Sequence, residues 1–371
     1  MKVVKIHIIK RVQDLDWYTG SNFNDLIIFL VWGLALLVIL LAIYCFWLRL
    51  IYDLRGKKRK KLFSRWEEII FEYLDRKKLP SEIVESMPKS EYDYFLDFIK
   101  DYLIVIKGED FKRLSVLINQ TKLFSYLINK LKQGNSQMRS DAAFFLGLAR
   151  AYKAKEFLRE RLKDRNDSVS YNCALSLAKI GDIDAVSDIL IQYRNCKNYS
   201  RDSLLCILFE FGNSVCQSLL QHLLKEKEDS LRILIIDVLG HYRYFSAGKA
   251  ILNLLNLSNN NELRIHCIKA IGRMEYIEAL PTLRRCLDEP DCVIRSQAIS
   301  AIGKIGDITI ENKLVEKLGD ENWWVRYRAA EALFSTFEQG KESLKDILAH
   351  SKNKKAVSAA QVILTEKAMG V

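Results

Sequence analysis

The sequence predicts an all-α protein: one N-terminal transmembrane helix, then an α-solenoid of about seven helical hairpins. Three observations predict it. An uncharged run extends from Leu26 to Leu48. Residues of matching type recur at steps of 31 or 32 positions from Arg139 to Arg326. Proline is scarce (4 in 371 residues) and glycine modest (16), which suits helices with short connections better than strands.

The 23 residues from Leu26 to Leu48 reach about 34 Å as a helix, enough for a hydrocarbon core of about 30 Å. A secretory signal would have a shorter apolar core and then small residues. Here the run ends in Tyr44, Cys45, Phe46 and Trp47, followed by charge. Trp17 and Tyr18 before it, and Trp47 and Tyr52 after it, suit the two bilayer interfaces.

The formal net charge is +11, and residues 49–65 carry +7 of it. Arg49, Arg55, Lys57, Lys58, Arg59, Lys60, Lys61 and Arg65 stand there against Asp53 alone. The other 354 residues carry only +4, an ordinary solvated surface that argues against nucleic acid as a partner. The N-terminal flank holds Lys2, Lys5, Lys10 and Arg11, the C-terminal flank the denser cluster. The positive-inside rule then puts the solenoid in the cytoplasm and the N-terminus outside. The expected layout is a short extracytoplasmic tail (1–25), a single span of the inner (plasma) membrane (26–48) and a basic juxtamembrane linker (49–61). Arg55, Lys57, Lys58, Arg59, Lys60 and Lys61, with Trp47 and Tyr52, are the candidate lipid-contacting residues. A sensor of anionic headgroups is one alternative function for them.

The repeat aligns on Arg139, Ser170, Arg201, Arg232, Arg264, Arg295 and Arg326. Seven residues after each anchor stand Leu146, Leu177, Leu208, Leu239, Ile271, Ile302 and Leu333. Small or aliphatic residues fill the third and fourth places, from Ala142 and Ala143 to Ala329 and Ala330. Offsets of three, four and seven share one face of a helix. Four residues before the anchor come Asn135, Asn166, Asn260, Asp291 and Asn322, whose side chains can accept from free helical amides. Lys197 and Glu228 break that row. The helix ends near Gly181-Asp182, Met274-Glu275 or Gly306-Asp307, and a second apolar-striped helix follows. One such hairpin cannot bury its apolar face alone, so neighbours must stack.

The stretches Val293 to Asp307 and Trp324 to Leu333 carry the pattern most clearly, and it resembles the short bacterial HEAT repeats also found in phycobilisome lyases. The resemblance covers roughly Asn135 to Glu338. It implies a HEAT solenoid, a mainly structural role for the matched arginines, and little about chemistry. The chain is also similar in architecture to bacterial membrane proteins with one N-terminal span and a cytoplasmic HEAT array. The features shared are the span, the basic exit Arg55–Lys61, the Phe63-Ser64-Arg65-Trp66 helix and the repeats. That similarity implies a membrane glycosyltransferase of an exopolysaccharide system, or an export machine, as partner.

The repeat domain is expected over 135–371, with a C-terminal capping half-repeat in which Ala360 and Leu364 fall in register with Val357. Before it, 62–134 reads as a helical cap. Helices are expected near 62–76 and 91–106, with a loop bounded by Pro80 and Pro88 between them. A degenerate pair follows through Phe111, Leu114, Tyr126, Leu127 and Leu131.

No motif carries catalysis, so no enzyme, cofactor or metal is expected. His7, His222, His241, His266 and His350 are scattered, and none precedes a glutamate, unlike the His-Glu pairs of HEAT-like di-iron hydroxylases. The eight cysteines include no C-x-x-C pair and read as small core residues in a reducing compartment. What remains is binding of another, membrane-associated protein by a tethered scaffold. Arg159, Arg161, Arg284 and Arg285 on second helices are candidate contacts. So are the turn residues Tyr242, Arg243, Tyr244 and Phe245, with Tyr152 and Tyr276 nearby, and Trp323 and Trp324. The binding surface is expected on the second helices. A HEAT-type lyase using a concave groove is the enzymatic alternative.

Overall fold

The structure, a computed structural model, describes the backbone of residues 2–75, 79–195, 200–336 and 339–368, and their side chains from residue 27 onward except at 195. All regular structure among these residues is helical, and the chain divides into two compact units, Met1–Val105 and Ile106–Val371.

In the first unit, α1 (Lys2–Leu74) runs without a break. The tail and the linker expected at 1–25 and 49–61 are therefore continuous helix with the apolar stretch. Residues 49–61 are mostly Lys, Arg and Leu, good helix formers, with one glycine and no proline. Every residue from Ile27 to Leu50 is exposed, and α1 is long and apolar enough to cross a membrane.

Beyond residue 60 the same helix becomes one-sided. Leu62, Trp66, Ile70 and Tyr73 are buried at intervals of three or four. They face α3 (Tyr92–Val105), which contributes Phe95, Leu96, Ile99 and Leu103, and the Trp66 ring meets Phe95 edge-on at 5.3 Å. The loop expected between Pro80 and Pro88 holds a short helix, α2 (Pro80–Glu85), with proline in its first turn, where no amide is needed. Part of the basic cluster is engaged. Arg59 pairs with Asp97 at 2.7 Å, Arg65 with Glu91 at 2.5 Å, and Lys58 lies over the Tyr94 ring. Arg55, Lys57, Lys60 and Lys61 are exposed and unpaired among the described residues.

The second unit opens with the hairpin α4 (Gly108–Asn119) and α5 (Lys122–Gln133). The first helices of the repeat follow: α6 (Ser136–Leu148), α8 (Asp167–Ile180), α10 (Arg201–Glu210), α12 (Asp229–His241), α14 (Asn261–Met274), α16 (Cys292–Ile305), α18 (Trp323–Thr336) and α20 (Lys354–Ala368). Second helices alternate with them: α7 (Lys155–Arg161), α9 (Val186–Asn195), α11 (Cys216–Leu223), α13 (Gly248–Leu257), α15 (Leu280–Cys286), α17 (Glu311–Lys317) and α19 (Gly340–His350). The cap expected over 62–134 is thus divided. Its part from Ile106 onward belongs to the repeat unit, because Leu123, Leu127 and Leu131 of α5 are buried and α5 packs on α6.

Successive first helices lie side by side, and the second helices pack on the first helix of the next hairpin, except α9, which packs on α11. The row Leu146, Leu177, Leu208, Leu239, Ile271, Ile302 and Leu333 is at most 1% exposed, as the pattern requires. All five predicted caps form: Asn135, Asn166, Asn260, Asp291 and Asn322 accept from amides two or three residues on. Asn353 caps α20 in the same register. Ser200 caps α10, Glu228 makes no cap bond, and Lys197 lies outside the described residues. At the other end of the first helices Arg150, Gly181, Gly212, Arg243, Glu275 and Gly306 all take a left-handed conformation. They sit 31 or 32 residues apart. Gly181 and Gly306 adopt it without the Cβ strain that the arginines and Glu275 bear.

Candidate binding groove

The anchor arginines hold the array together. Arg139 makes two bonds to Asp164, both 2.8 Å, and a third to the Gly134 carbonyl. Arg295 makes the same pair to Asp320 at 2.9 and 2.8 Å and reaches the Glu289 and Pro290 carbonyls. Arg264 pairs with Glu289. Each partner stands 25 residues after its arginine, an acidic row that reading the arginines singly does not reveal. Arg326 bonds carbonyls instead, Arg232 takes the Glu226 carbonyl and the Asp229 carboxylate, and Arg201 takes Asp237 of the next first helix. Burial pushes the Asp320 pKa up, but the bonds from Arg295 and the Asn322 amide outweigh it, leaving the carboxyl below its ordinary range. Asp164 is held low in the same way.

Two of the arginines singled out as candidate contacts are engaged internally. Arg159 donates twice to Asp182, and Arg284 donates to Asp307 and Thr309. These are one ion pair in two repeats: arginine and aspartate occur together or not at all. Where both are missing, the aspartate position holds Ala151, Asn213, Tyr244 or Tyr276. Tyr276 is buried, its ring lying where a Cβ on Gly248 would fall, and Phe245 packs edge-on against it at 5.1 Å. Tyr242 donates to the Phe209 carbonyl. Arg243 pairs loosely with Glu275 at 3.5 Å, Arg161 reaches the Lys132 carbonyl, and Arg285 reaches Thr282. The second-helix candidates are therefore spread along the array and largely tied down.

Trp323 and Trp324 differ. Both are exposed, at 42% and 58%, so neither is buried as a staple at the start of α18. Trp323 stacks on Tyr327 at 5.1 Å, and the Tyr327 hydroxyl donates to Glu366. Trp324 lines a hollow of about 400 Å³ with Cys292, Val293, Ser296 and Asn322.

That hollow shares Gln297 and Arg328 with a groove of about 490 Å³ across α14, α16, α18 and α20. The groove thus runs over first helices, where the sequence pointed to second ones. Lys269, Arg273, Lys304, Arg328 and Lys367 line it against one carboxylate, Glu331. Arg328 is bonded to Glu331 at 2.5 Å. Lys269, Arg273 and Lys304 have no ionic partner among the described residues. Most of these cations stand two, five or nine residues after an anchor, on the face turned away from the core offsets three, four and seven.

Small residues make the groove's floor by letting first helices close up. A Cβ on Gly272 would lie 2.8 Å from the Ala301 Cα, and one on Gly303 3.1 Å from the Ala332 Cβ. The arrangement is suited to non-covalent capture: an open, basic channel beside an aromatic shelf.

The family model described as HEAT repeats matches residues 124–203, 216–301 and 286–364, well over half of the chain. The chain belongs to the HEAT-repeat family. HEAT solenoids are generally protein-binding scaffolds. The "Uncharacterized phycocyanin operon protein Y" of Pseudanabaena tenuis is 40% identical over 47 residues, 13% of the present chain and only 11% of that relative. Among solved structures, Kap121p bound to Pho4p is 13% identical over 74% of the HEAT chain and 37% of its own, with a TM-score of 0.48. The complex of CpcE and CpcF of phycocyanin lyase from Nostoc sp. PCC7120 is 17% identical over 65% and 93%, with a TM-score of 0.28. Likenesses of that size say nothing about what this HEAT solenoid binds.

Proposed function

We propose that the protein is a membrane-tethered scaffold: α1 spans the inner membrane, and the HEAT solenoid binds a membrane-associated protein at the cytoplasmic face. The observation that carries this reading is the apolar stretch of α1. Twenty-odd residues from Ile27 onward are exposed, and no other part of the described protein covers them. As a helix, Ile27 to Leu48 reaches about 33 Å, and a bilayer core of about 30 Å would bury it. The basic residues that follow, of which Arg55, Lys57, Lys60 and Lys61 are unpaired among the described residues, support the orientation and suit anionic headgroups. A tether of this kind raises the effective concentration of the solenoid near a membrane partner. The glycosyltransferase partner rests on architectural resemblance alone.

The same reading gives the solenoid no catalytic role. Burial pushes the thiols of Cys173 and Cys267 up to about 12 and that of Cys216 up to about 11, which silences them as nucleophiles. Cys286 is buried as well, Cys45 and Cys206 are exposed, and Cys196 lies outside the described residues.

Membrane fractionation tests the tether. Full-length protein is expected to stay with membranes through alkaline carbonate and to be released by detergent, while a chain lacking residues 1–54 is expected in the soluble fraction. Recovery of the full-length protein as soluble material, or its conversion to a product cleaved after the apolar stretch, would overturn the reading.

A further inference from the structure

We propose that the groove across α14, α16, α18 and α20 holds an extended acidic peptide segment of the partner, with carboxylates recurring about every third residue. The inference rests on the solenoid being a protein-binding scaffold, and it is independent of the tether.

The charge sets the class of ligand. The anchor arginines are each taken by a carboxylate or carbonyl of the chain itself. Among the described residues Lys269, Arg273 and Lys304 are not, although they lie along one groove. A ligand carboxylate there gains an ion pair without displacing an existing one.

The register sets the spacing. Arg273 and Lys304 occupy the same position in successive repeats, 31 residues apart, and Arg328 lies on the first helix after that. Packed helices are about 8–10 Å apart, and an extended chain advances about 3.3 Å per residue. One helix step therefore equals about three ligand residues. Crossing three steps takes roughly 25–30 Å, far beyond the reach of a single phosphate or carboxylate. The floor of Gly272, Ala301, Gly303 and Ala332 leaves room for a backbone to lie close. Trp324 in the adjoining hollow offers an apolar anchor at one end. Glu331 in the groove and Glu366 beside Tyr327 oppose the continuous negative charge of a nucleic-acid strand.

The test uses full-length protein in detergent and fluorescence anisotropy with three labelled probes. These are a nonapeptide with aspartates at positions one, four and seven, an isomer with the three aspartates adjacent, and a nine-nucleotide oligothymidine. The spaced peptide is expected to bind at least tenfold more tightly than the isomer. Arg273→Glu with Lys304→Glu is expected to weaken it at least tenfold, whereas Arg273→Lys with Lys304→Arg retains binding and shows that the groove is intact. Equal binding of both peptides, unchanged binding by the double reversal, or tighter binding of the oligonucleotide would each overturn the proposal. Crosslinking in native membranes separates the two readings. A partner that is captured equally by the double reversal sinks the groove assignment and leaves the scaffold standing. Failure to capture any partner or peptide sinks both.

Discussion

Replacing Arg295 with alanine is expected to destabilise the repeat unit by about 3 kcal/mol. The Asp320 side chain is only 8% exposed and takes two bonds from that guanidinium, while the Glu289 and Pro290 carbonyls take the third nitrogen. Removing the arginine leaves a carboxylate with too little water and no counter-charge, plus two carbonyls without this donor. The pair itself is worth much less than its rupture costs, so Arg295→Leu with Asp320→Leu should recover most of the loss. Urea unfolding of full-length protein in detergent measures the first quantity. Amide exchange in α16 and α18 shows whether the damage is local, as stacked repeats allow. A loss under 0.5 kcal/mol would mean that the clamp is ornamental.

The same clamps fix the acid response. Asp164, Asp307 and Asp320 all titrate below the ordinary aspartate value of 3.8 when folded. The unfolded chain therefore binds protons first as pH falls, and the stabilisation present at neutral pH is lost below about that value. Unfolding midpoints are expected to decline gently below about pH 6.5, where burial of His222 holds its imidazole pKa below the ordinary value, and to fall steeply below 4. In the Arg295→Ala protein, buried Asp320 loses its reason to stay charged, so its deficit against wild type should shrink on acidification. A constant deficit from neutral to acid pH would contradict this account.

The second large effect is expected from Gly272→Leu. An added Cβ already meets the Ala301 Cα and Cβ at 2.8 Å, so α14 and α16 must part to admit a larger side chain. Overpacking of this kind costs about 1–3 kcal/mol, and a backbone contact belongs at the upper end. Gly56→Leu is the control, because nothing lies within 4 Å of a Cβ there. Equal melting of the two variants would show that the first helices are not close-packed through this glycine. The groove gives a second readout, since parting α14 from α16 also separates Arg273 from Lys304.

The period, the caps and the buried leucine row were legible because each is local. An asparagine two residues before an amide, or offsets of three, four and seven, can be counted within one repeat. The Arg–Asp clamps were half legible: the Arg139, Arg264 and Arg295 positions stood out, but their partners 25 residues on are defined only by how one hairpin turns back on the next. Arg159 and Arg284 read as candidate contacts, their own partners unseen, for the same reason, although Asp182 and Asp307 appear only in their repeats. The groove over first helices was not legible, because the sequence reading looked to second helices. Which row ends up lining a channel depends on small rotations accumulated between hairpins, and no single repeat encodes them. The division between Val105 and Ile106 was hidden because helical, amphipathic sequence continues on both sides of it.

The unbroken course of α1 has a rotational consequence. A helix turns about 100° with each residue, so the azimuth of the Trp66 and Ile70 face around the axis is locked to the apolar stretch by residue count alone. One residue inserted near Gly56 would swing that face by about 100°, whereas seven would bring it back to within about 20° of its starting direction. Length variation in this helix is thus phased, with whole heptads nearly silent and single residues acting as a quarter-turn of a key.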